Sequence, residues 1–309
     1  MRALTLIATA LLVTLVLAPQ EASAGNGENL LPLLPADALI VGAVNMEALR
    51  ATPTYRHVSS TIESIPQAQQ ARQGLAAAGI NMEEATRTIA FAANEVSNPA
   101  NPSVLVVMEG AFPQETVLTA LRGQSDLTEE AHEGHPLFAG PQRTATASLS
   151  DTILIAGSRP LVEAAIARHA ASEESRFNST LRTQVRAADK SGVVWFAGRV
   201  TSRMQRDNSE LNGINGVAGS LDLRSGLTMR MRIDTADEDT ASKLVSDFAT
   251  SRERIAGDST LRSLGVAGMV DGMSMTSDGS TATLNVNVAA DAWNRLVATL
   301  AALVASEFE

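Results

Sequence analysis

The sequence of 309 residues contains no cysteine. A chain without cysteine forms no disulfide, has no thiol nucleophile and is not expected to carry the lipid of a bacterial lipoprotein. Aromatic residues make up only 3% of the chain, whereas hydrophobic residues of all kinds make up 45%. Burial of Ala, Val, Leu, Ile and Met side chains is therefore expected to hold the fold together, without covalent cross-links.

Positive charge is also scarce. The lysines are Lys190 and Lys243, the arginines are scattered along the chain, and the net charge is −10. Nucleic acids and anionic lipid surfaces are bound by clustered Lys and Arg, so neither is an expected partner. The acidic balance mainly promotes solubility.

The first 24 residues have the three regions of a secretory signal peptide. Arg2 precedes an apolar run (4–17), and residues 22–24 (Ala-Ser-Ala) fit the small-x-small cleavage rule. We therefore expect residues 1–24 to be removed, with Gly25 as the mature N-terminus and a periplasmic or secreted location. The run is short for a membrane span of ~20 residues, so no stable span is expected after cleavage. Retention of the segment as an anchor is the alternative.

Apolar strands that lead through a polar cap into an amphipathic helix recur along the chain. Three segments are predicted to be such strands: 38–44 (ALIVGAV), 103–108 (SVLVVM) and 152–156 (TILIA). Pro113 and Pro160 mark the first turns of the helices that follow the second and third strands, because a first turn tolerates the missing N–H of proline.

Two segments near the C-terminus alternate between apolar and polar side chains: 227–233 (LTMRMRI) and 282–288 (ATLNVNV). Such alternation indicates strands with one buried and one wet face. Each follows a partner strand and a turn, and each precedes an acidic cap and a helix, so we predict two hairpin-plus-helix units that share a sheet. The predicted inward residues are Met229, Met231, Leu284 and Val286, and the predicted outward residues are Arg230, Arg232, Asn285 and Asn287.

These patterns predict an α+β fold of antiparallel sheets, built from repeated hairpin or strand-plus-helix units with the helices packed on one face. We expect an N-terminal α+β domain over 25–203, a linker over 204–220 and a C-terminal hairpin-helix repeat domain over 221–309. The linker prediction rests on the Asn, Gly and charged residues that follow Met204.

Two further apolar segments carry alternative interpretations. The run 193–197 (VVWFA) is expected to be a central strand buried on both faces, or else one wall of a ligand groove. The helix that begins at Asp291 is apolar over more than one face. It is expected to be buried in its own chain, or to dock against a partner.

The segment 129–140 (EEAHEGHPLFAG) holds two of the four histidines, His132 and His135. The zinc-protease motif H-E-x-x-H requires a spacing of four on a helix. Here the spacing is three, Gly134 and Pro136 disfavour a helix, and no third histidine is close in sequence. We predict a polar turn that binds no metal tightly, with a weak surface metal site as the alternative.

Two other motifs have structural interpretations. The acidic segment 234–239 (DTADED) lacks the D-x-D-x-D-G pattern of a calcium loop. Instead, Thr235 and Glu238 predict a capping box for the following helix. The segment 213–219 (GINGVAG) has the wrong spacing for a dinucleotide loop, so we predict that its glycines supply linker flexibility.

Patterns of nucleophilic catalysis are missing from the sequence. It contains neither G-x-S-x-G nor S-x-x-K, and His57 and His169 are predicted on helix flanks with no adjacent serine or acid. We therefore predict a non-catalytic protein with no catalytic, cofactor-binding or metal-binding residues. A hydrolase with a dispersed site is the remaining enzyme hypothesis, because triads are defined by geometry rather than by sequence position.

The segment 33–58 (LLPADALIVGAVNMEALRATPTYRHV) resembles the opening of large exported bacterial proteins of unknown function, in which an LPADA segment precedes a hydrophobic strand and a short helix. The segment 148–166 (SLSDTILIAGSRPLVEAAI) is similar to a recurring hairpin-and-helix unit of the same proteins. The resemblance implies an exported, repeat-like α+β protein and provides no catalytic residues to carry over.

The leading functional hypothesis is an exported, non-catalytic protein that binds a protein partner or serves envelope assembly. The alternative is a carrier that holds a small apolar ligand in a groove between sheet and helices.

Overall fold

The structure is a computed structural model that describes residues 26–55, 79, 81–95, 103–171, 176–257 and 267–306. Described residues fall into two compact units, Met1–Arg50 with Ile62–Asn178 and Ala51–Thr61 with Ser179–Glu309. We call these the N-terminal unit and the C-terminal unit. Both units combine helices with antiparallel strands, which confirms the predicted α+β class. The predicted signal peptide, its cleavage site at Gly25 and His57 lie outside the described residues.

The N-terminal unit is built on an antiparallel sheet with the strand order β1-β2-β3-β7-β6-β5-β4. Its strands are β1 (Ile40–Asn45), β2 (Thr86–Glu95), β3 (Ser103–Gly110), β4 (Thr128–His132), β5 (His135–Ala139), β6 (Thr144–Ser150) and β7 (Ile153–Ser158). Its helices are α1 (Met46–Arg50), α2 (Met82–Ala85), α3 (Gln114–Arg122) and α4 (Arg159–Ala171), with 3-10 helices at Glu28–Leu33 and Pro141–Arg143.

The predicted strands and helix starts of this unit are confirmed. Strands β1, β3 and β7 coincide with the three apolar runs, and α3 begins directly after Pro113. Pro160 lies in the first turn of α4, where its missing N–H costs no helical hydrogen bond. Helix α4 contacts β3, β6 and β7. The α4 residues that are buried recur at helical spacing: Leu161, Val162, Ala165 and Ile166.

The C-terminal unit contains a second antiparallel arrangement, in the order β8-β9-β10-β12-β11. Its strands are β8 (Val194–Arg199), β9 (Ile214–Asp222), β10 (Gly226–Thr235), β11 (Met273–Asp278) and β12 (Thr281–Ala289). Its helices are α5 (Ser179–Ala187), α6 (Ser202–Asp207), α7 (Glu238–Gly257), α8 (Ala267–Val270) and α9 (Ala290–Ser306), with a 3-10 helix at Ser209–Leu211.

The two predicted hairpins of this unit share a sheet, because β10 pairs with β12. Burial follows the predicted period of two. Met231, Leu284 and Val286 are buried, whereas Arg230 and Arg232 are exposed. Met229 is only half-buried, although it lies on the same face as Met231. Helices α7 and α9, which follow the two hairpins, contact the strands of those hairpins.

Helix α5 packs on the face of the sheet opposite to α7 and α9. The prediction that the helices lie on one face therefore holds only for the two helices that follow the hairpins. It contacts β8 and β9. The Gln184 side chain donates a hydrogen bond to Asp234, which shares the polar face of β10 with Arg232. Side chains from Val194 to Ala197 in β8 are buried, as predicted for a strand covered on both faces.

The predicted linker over 204–220 is wrong. Helix α6, a 3-10 helix and most of β9 occupy that range, and the boundary between the units falls after Asn178. Two glycines that suggested flexibility serve packing instead. A Cβ on Gly216 would lie 2.9 Å from Gln184 Cγ, and a Cβ on Gly219 would lie 2.5 Å from Phe196 Cζ. These positions are glycine because neighbouring atoms occupy the space, including the Gly198 carbonyl oxygen at 2.8 Å from a Cβ on Gly216, and not because the chain has to bend.

In the C-terminal helix, now α9, the described side chains are partly consistent with burial in the chain. Val297 is buried, while Leu296 and Trp293 are half-buried. The Trp293 indole N–H donates a hydrogen bond of 2.7 Å to Thr54 Oγ1, which ties the helix to the 51–55 segment of the same unit. Side chains beyond Ala298 lie outside the described part.

Candidate functional site

The HEGH segment forms the tip of the β4–β5 hairpin, as predicted. His132 and His135 are directly opposite each other on the two strands. Glu133 and Gly134 between them have φ angles of 46° and 79°. Two successive residues with positive φ are typical of the two-residue turn that suits the twist of a β-hairpin. The sequence therefore folds into a tight turn, and both histidines are half-buried beside it.

The structure adds a third histidine that the sequence did not place here. His169 on α4 lies edge-to-face against His135, with ring centroids 5.9 Å apart. Burial lowers the pKa of His169, and the charge that His135 acquires on protonation lowers it further. His135 and His169 are separated along the chain, and only the packing of α4 brings the two rings together. No local sequence signal could have revealed the pair.

Metal binding by this group is not favoured by its geometry. Across the described residues, no three side chains of His, Cys, Asp or Glu are grouped so that they could hold a metal ion. A zinc site needs at least three protein ligands. That His132 and His135 bind no metal tightly stays a prediction, which elemental analysis of untagged protein would test.

Ion pairs hold β4 to the helices on both sides of the hairpin. Arg122 on α3 pairs with Glu129 at 2.8 Å, and Arg159 on α4 pairs with Glu130 at 2.6 Å. The hydrogen bonds from the arginines lower the pKa of both glutamates. Arg159 also contacts Glu163, one turn further along α4. These pairs are solvent-exposed, so their main effect is to orient the strand rather than to stabilise the fold.

The acidic segment before α7 acts as a helix cap, but not through the predicted residue. Asp237 Oδ1 accepts a hydrogen bond of 2.8 Å from the N–H of Thr240, which makes Asp237 the capping residue. The Thr235 hydroxyl instead lies within hydrogen-bond distance of two carbonyls, that of Asp237 at 2.7 Å and that of Ser280 at 2.8 Å. The predicted capping box of Thr235 and Glu238 is therefore wrong, because α7 begins at Glu238 and leaves Thr235 in β10.

Helix α7 is covered far less than its length suggests. Of its 20 residues only Ala241 is buried, whereas α4 buries four of 13. The apolar residues on the sheet-facing side of α7 are half-buried, as are two methionines of β11, the strand that α7 contacts. We call this group the α7–β11 surface; it consists of Leu244, Val245, Phe248, Ile255, Met273 and Met275.

Strand β11 is also an open sheet edge. In the described part of the chain it pairs with β12 alone and ends the strand order. The N–H of Asn287 donates to the carbonyl of Gly272 at 2.8 Å, which fixes the alternation of hydrogen bonds along the strand. The backbone groups of Ser274 and Thr276 consequently point towards β12, and those of Met275 and Ser277 point outwards.

One outward group of β11 is capped by a side chain. Arg252 Nη1 on α7 donates a hydrogen bond of 3.0 Å to the carbonyl of Met273. The remaining outward groups of the strand, at Met275 and Ser277, have no strand beside them within the described residues. An edge of this kind is a template for a further β-strand.

Comparisons with known proteins place the fold but not the function. The chain matches no protein-family model and no curated protein. Among solved structures it is similar to crystal form III of TP0453, with 8% identity and a TM-score of 0.52, over 89% of this chain and 97% of that chain. Crystal form I gives the same TM-score, with 9% identity, over 89% of this chain and 96% of that chain. At this identity the likeness supports the α+β fold alone.

In the residues that the structure describes, no helix has both the length and the apolar character that a membrane crossing requires.

Proposed function

We propose that this chain is an exported, non-catalytic protein that binds a protein partner through the α7–β11 surface. The observation that carries the proposal is the incomplete burial of α7, a 20-residue helix with one buried residue. Contiguous apolar side chains that remain partly exposed are typical of interaction surfaces. The signal-peptide pattern of residues 1–24 supports export.

The chemistry of the surface suits a protein partner. Met273 and Met275 supply flexible side chains that adapt to a contacting surface. The exposed Lys243–Asp247 ion pair, at 2.6 Å, provides a polar rim beside Leu244. An apolar centre with a polar rim is the usual arrangement of an interface.

A photo-crosslinking experiment tests the proposal. A photoreactive phenylalanine analogue replaces Phe248 in the full chain, which is expressed in bacteria and irradiated. The matched control carries the analogue at Ser246, an exposed residue on the opposite side of α7. We expect a discrete protein adduct from position 248 and none from position 246. Equal labelling at both positions, or no adduct at 248, would contradict the proposal.

Export has its own test. N-terminal sequencing of the protein recovered from the periplasm or medium is expected to begin at Gly25. Recovery of the full-length chain from the membrane fraction, with Met1 still present, would overturn this part of the proposal.

A carrier of a small apolar ligand is the second candidate. It is favoured by the half-buried methionines Met229 and Met273, which lie opposite Val286 from both sides on the face that α7 contacts. A carrier would bind a fluorescent fatty acid at one site per chain, with a blue-shifted emission that Phe248→Asp abolishes. A partner-binding surface predicts no saturable binding of this probe.

A further inference from the structure

We propose that the outer edge of β11 pairs with β11 of a second copy of this chain, in an antiparallel arrangement about a two-fold axis at Met275. The inference rests on the proposed function, since it uses the same α7–β11 surface. It identifies the protein partner as a second copy of this chain. Strand addition to an open edge is a common mode of recognition.

The hydrogen-bonding groups of β11 suit such an axis. Backbone groups of Met275 and Ser277 point away from β12, as the bond between Asn287 and Gly272 shows. With Met275 opposite its own counterpart, Ser277 of each copy lies opposite Met273 of the other. The central residues then exchange two backbone hydrogen bonds, as in any antiparallel pair. Arg252 donates to one lone pair of the Met273 carbonyl oxygen, and the second lone pair accepts from the Ser277 N–H of the other copy.

Side chains across the proposed pairing are compatible. Met275 meets its counterpart on the apolar face, and Ser274 lies opposite Thr276 on the polar face. The charged residue of β11, Asp278, falls opposite Gly272, which has no side chain. No like charges therefore face each other along the paired strands. Like charges in directly opposite positions would destabilise the pairing.

The position of α7 adds a second contact across the axis. This helix contacts β11 as well as β12, so it lies near the edge. Strands pair at ~4.8 Å and helices pack at ~8–10 Å, so two copies that join through β11 bring their α7 helices alongside each other. The half-buried Phe248 and Leu244 would then be covered by the second copy.

The occupant is a second copy because the edge is self-complementary and the association closes. A two-fold axis uses the same edge of both copies and leaves neither free for a third. The terminal strand of the N-terminal unit, β4, carries Glu129 and Glu130 and is a poor template. The expected product is a closed dimer rather than a filament.

The test is the mass in solution of the purified full chain, measured by sedimentation velocity. We expect a dimer for the wild type at ~10 μM, the range of a moderate interface. Ser277→Pro removes the outward N–H that bonds the Met273 carbonyl of the other copy and leaves the bonds to β12 intact, so it should give a folded monomer with an unchanged circular-dichroism spectrum. Met275→Lys should also give a monomer, because it places a charge at the edge. The matched control, Ser277→Ala, should remain a dimer.

Three results would overturn the inference: a wild type that is monomeric up to ~100 μM, a dimer that persists in both variants, or a control that dissociates like Ser277→Pro. The crosslinking at position 248 separates this failure from failure of the proposed function. If the chain is monomeric but still forms a discrete adduct with another protein, the dimer is refuted and the proposal of partner binding stands. If the chain is monomeric and forms no adduct, both proposals are refuted.

Discussion

Strands β4 and β11 end the strand orders of their units, yet they present different edges. β4 carries Glu129 and Glu130, and arginines on α3 and α4 hold both carboxylates in place. β11 carries two half-buried methionines among Ser and Thr, and one arginine on α7 caps a single carbonyl. Charge on an edge strand discourages pairing with another chain. The N-terminal edge is therefore protected by charge, whereas the C-terminal edge has no strand beside it within the described residues.

Helices α4 and α7 show the same contrast in packing. α4 buries Val162, Ala165 and Ile166 completely, whereas α7 leaves Leu244 and Phe248 only half-buried although it is longer. A helix whose apolar side is fully covered is stabilised by that burial. A helix whose apolar side is incompletely covered can bury further apolar area by contacting another surface. Four predictions test or sharpen the comparison.

The largest effect is expected from truncating the two helices. Ile166→Ala removes a fully buried side chain and should lower the free energy of unfolding by ~2–5 kcal/mol. Leu244→Ala removes a half-buried side chain and should cost about 1 kcal/mol, since less apolar area returns to water. Urea denaturation followed by circular dichroism measures both. Equal losses would show that α7 is packed as tightly as α4.

The register of β10 gives the next effect. Met231 is buried, so Met231→Ala should cost ~2–5 kcal/mol. Arg232 is exposed and pairs with Asp234 at 2.7 Å, so Arg232→Ala should cost under ~1 kcal/mol. The same denaturation experiment compares them. A greater loss at Arg232 would mean that the polar face of the hairpins is itself an interface.

Removing the charges of β4 should make its edge resemble that of β11. Glu129→Thr combined with Glu130→Thr leaves a neutral strand with high β-propensity. We expect this variant to self-associate beyond the wild type, detected as a rise in sedimentation coefficient with concentration. Arg122→Gln combined with Arg159→Gln is the control, because it breaks the ion pairs but keeps the glutamates on the edge. If the double threonine variant sediments like the wild type, charge is not what protects β4.

The smallest effect concerns His169, beside the same hairpin. Its folded-state pKa lies below the ordinary value of 6.5, first through burial and then through the charge of His135. Below pH 6.5 the unfolded chain binds a proton that the folded chain resists. The stability from neutral His169 is therefore present in full above that pH and is lost as the pH falls through the lowered pKa.

The change that isolates this effect is His135→Gln, which removes the neighbouring charge and should move the pKa of His169 upwards. A pH titration of the imidazole proton by nuclear magnetic resonance measures it. His132→Gln is the control, and it should leave the titration of His169 where it is in the wild type. Identical shifts in both variants would argue against the pairing of His135 with His169.

Several features of the fold were predictable because neighbouring residues decide them. The turn at Glu133 and Gly134 follows from the ease with which Gly134 adopts a positive φ, and the start of α3 follows from Pro113. The buried face of β12 follows from its alternation, since successive side chains of a strand point to opposite faces.

The features that were missed depend on what lies across the sheet. Glycines 216 and 219 suggested a linker, but they make room in β9 for Gln184 and Phe196. Thr235 suggested a helix cap, but its hydroxyl is bonded to Ser280, a residue of the other hairpin. In both cases the composition was compatible with two structures, and contacts remote in sequence selected one.

The α+β class, the hairpins and the inward faces of their strands could be predicted from short stretches of sequence, because periodicity and turn preferences act over a few residues. Tertiary packing, in contrast, brings His169 against His135, leaves α7 incompletely covered and leaves the outward groups of β11 without a neighbouring strand among the described residues. Those properties depend on which elements pack together and which edge remains unpaired. Residues far apart in the chain settle both, so they can be read from the folded molecule and not from any local pattern.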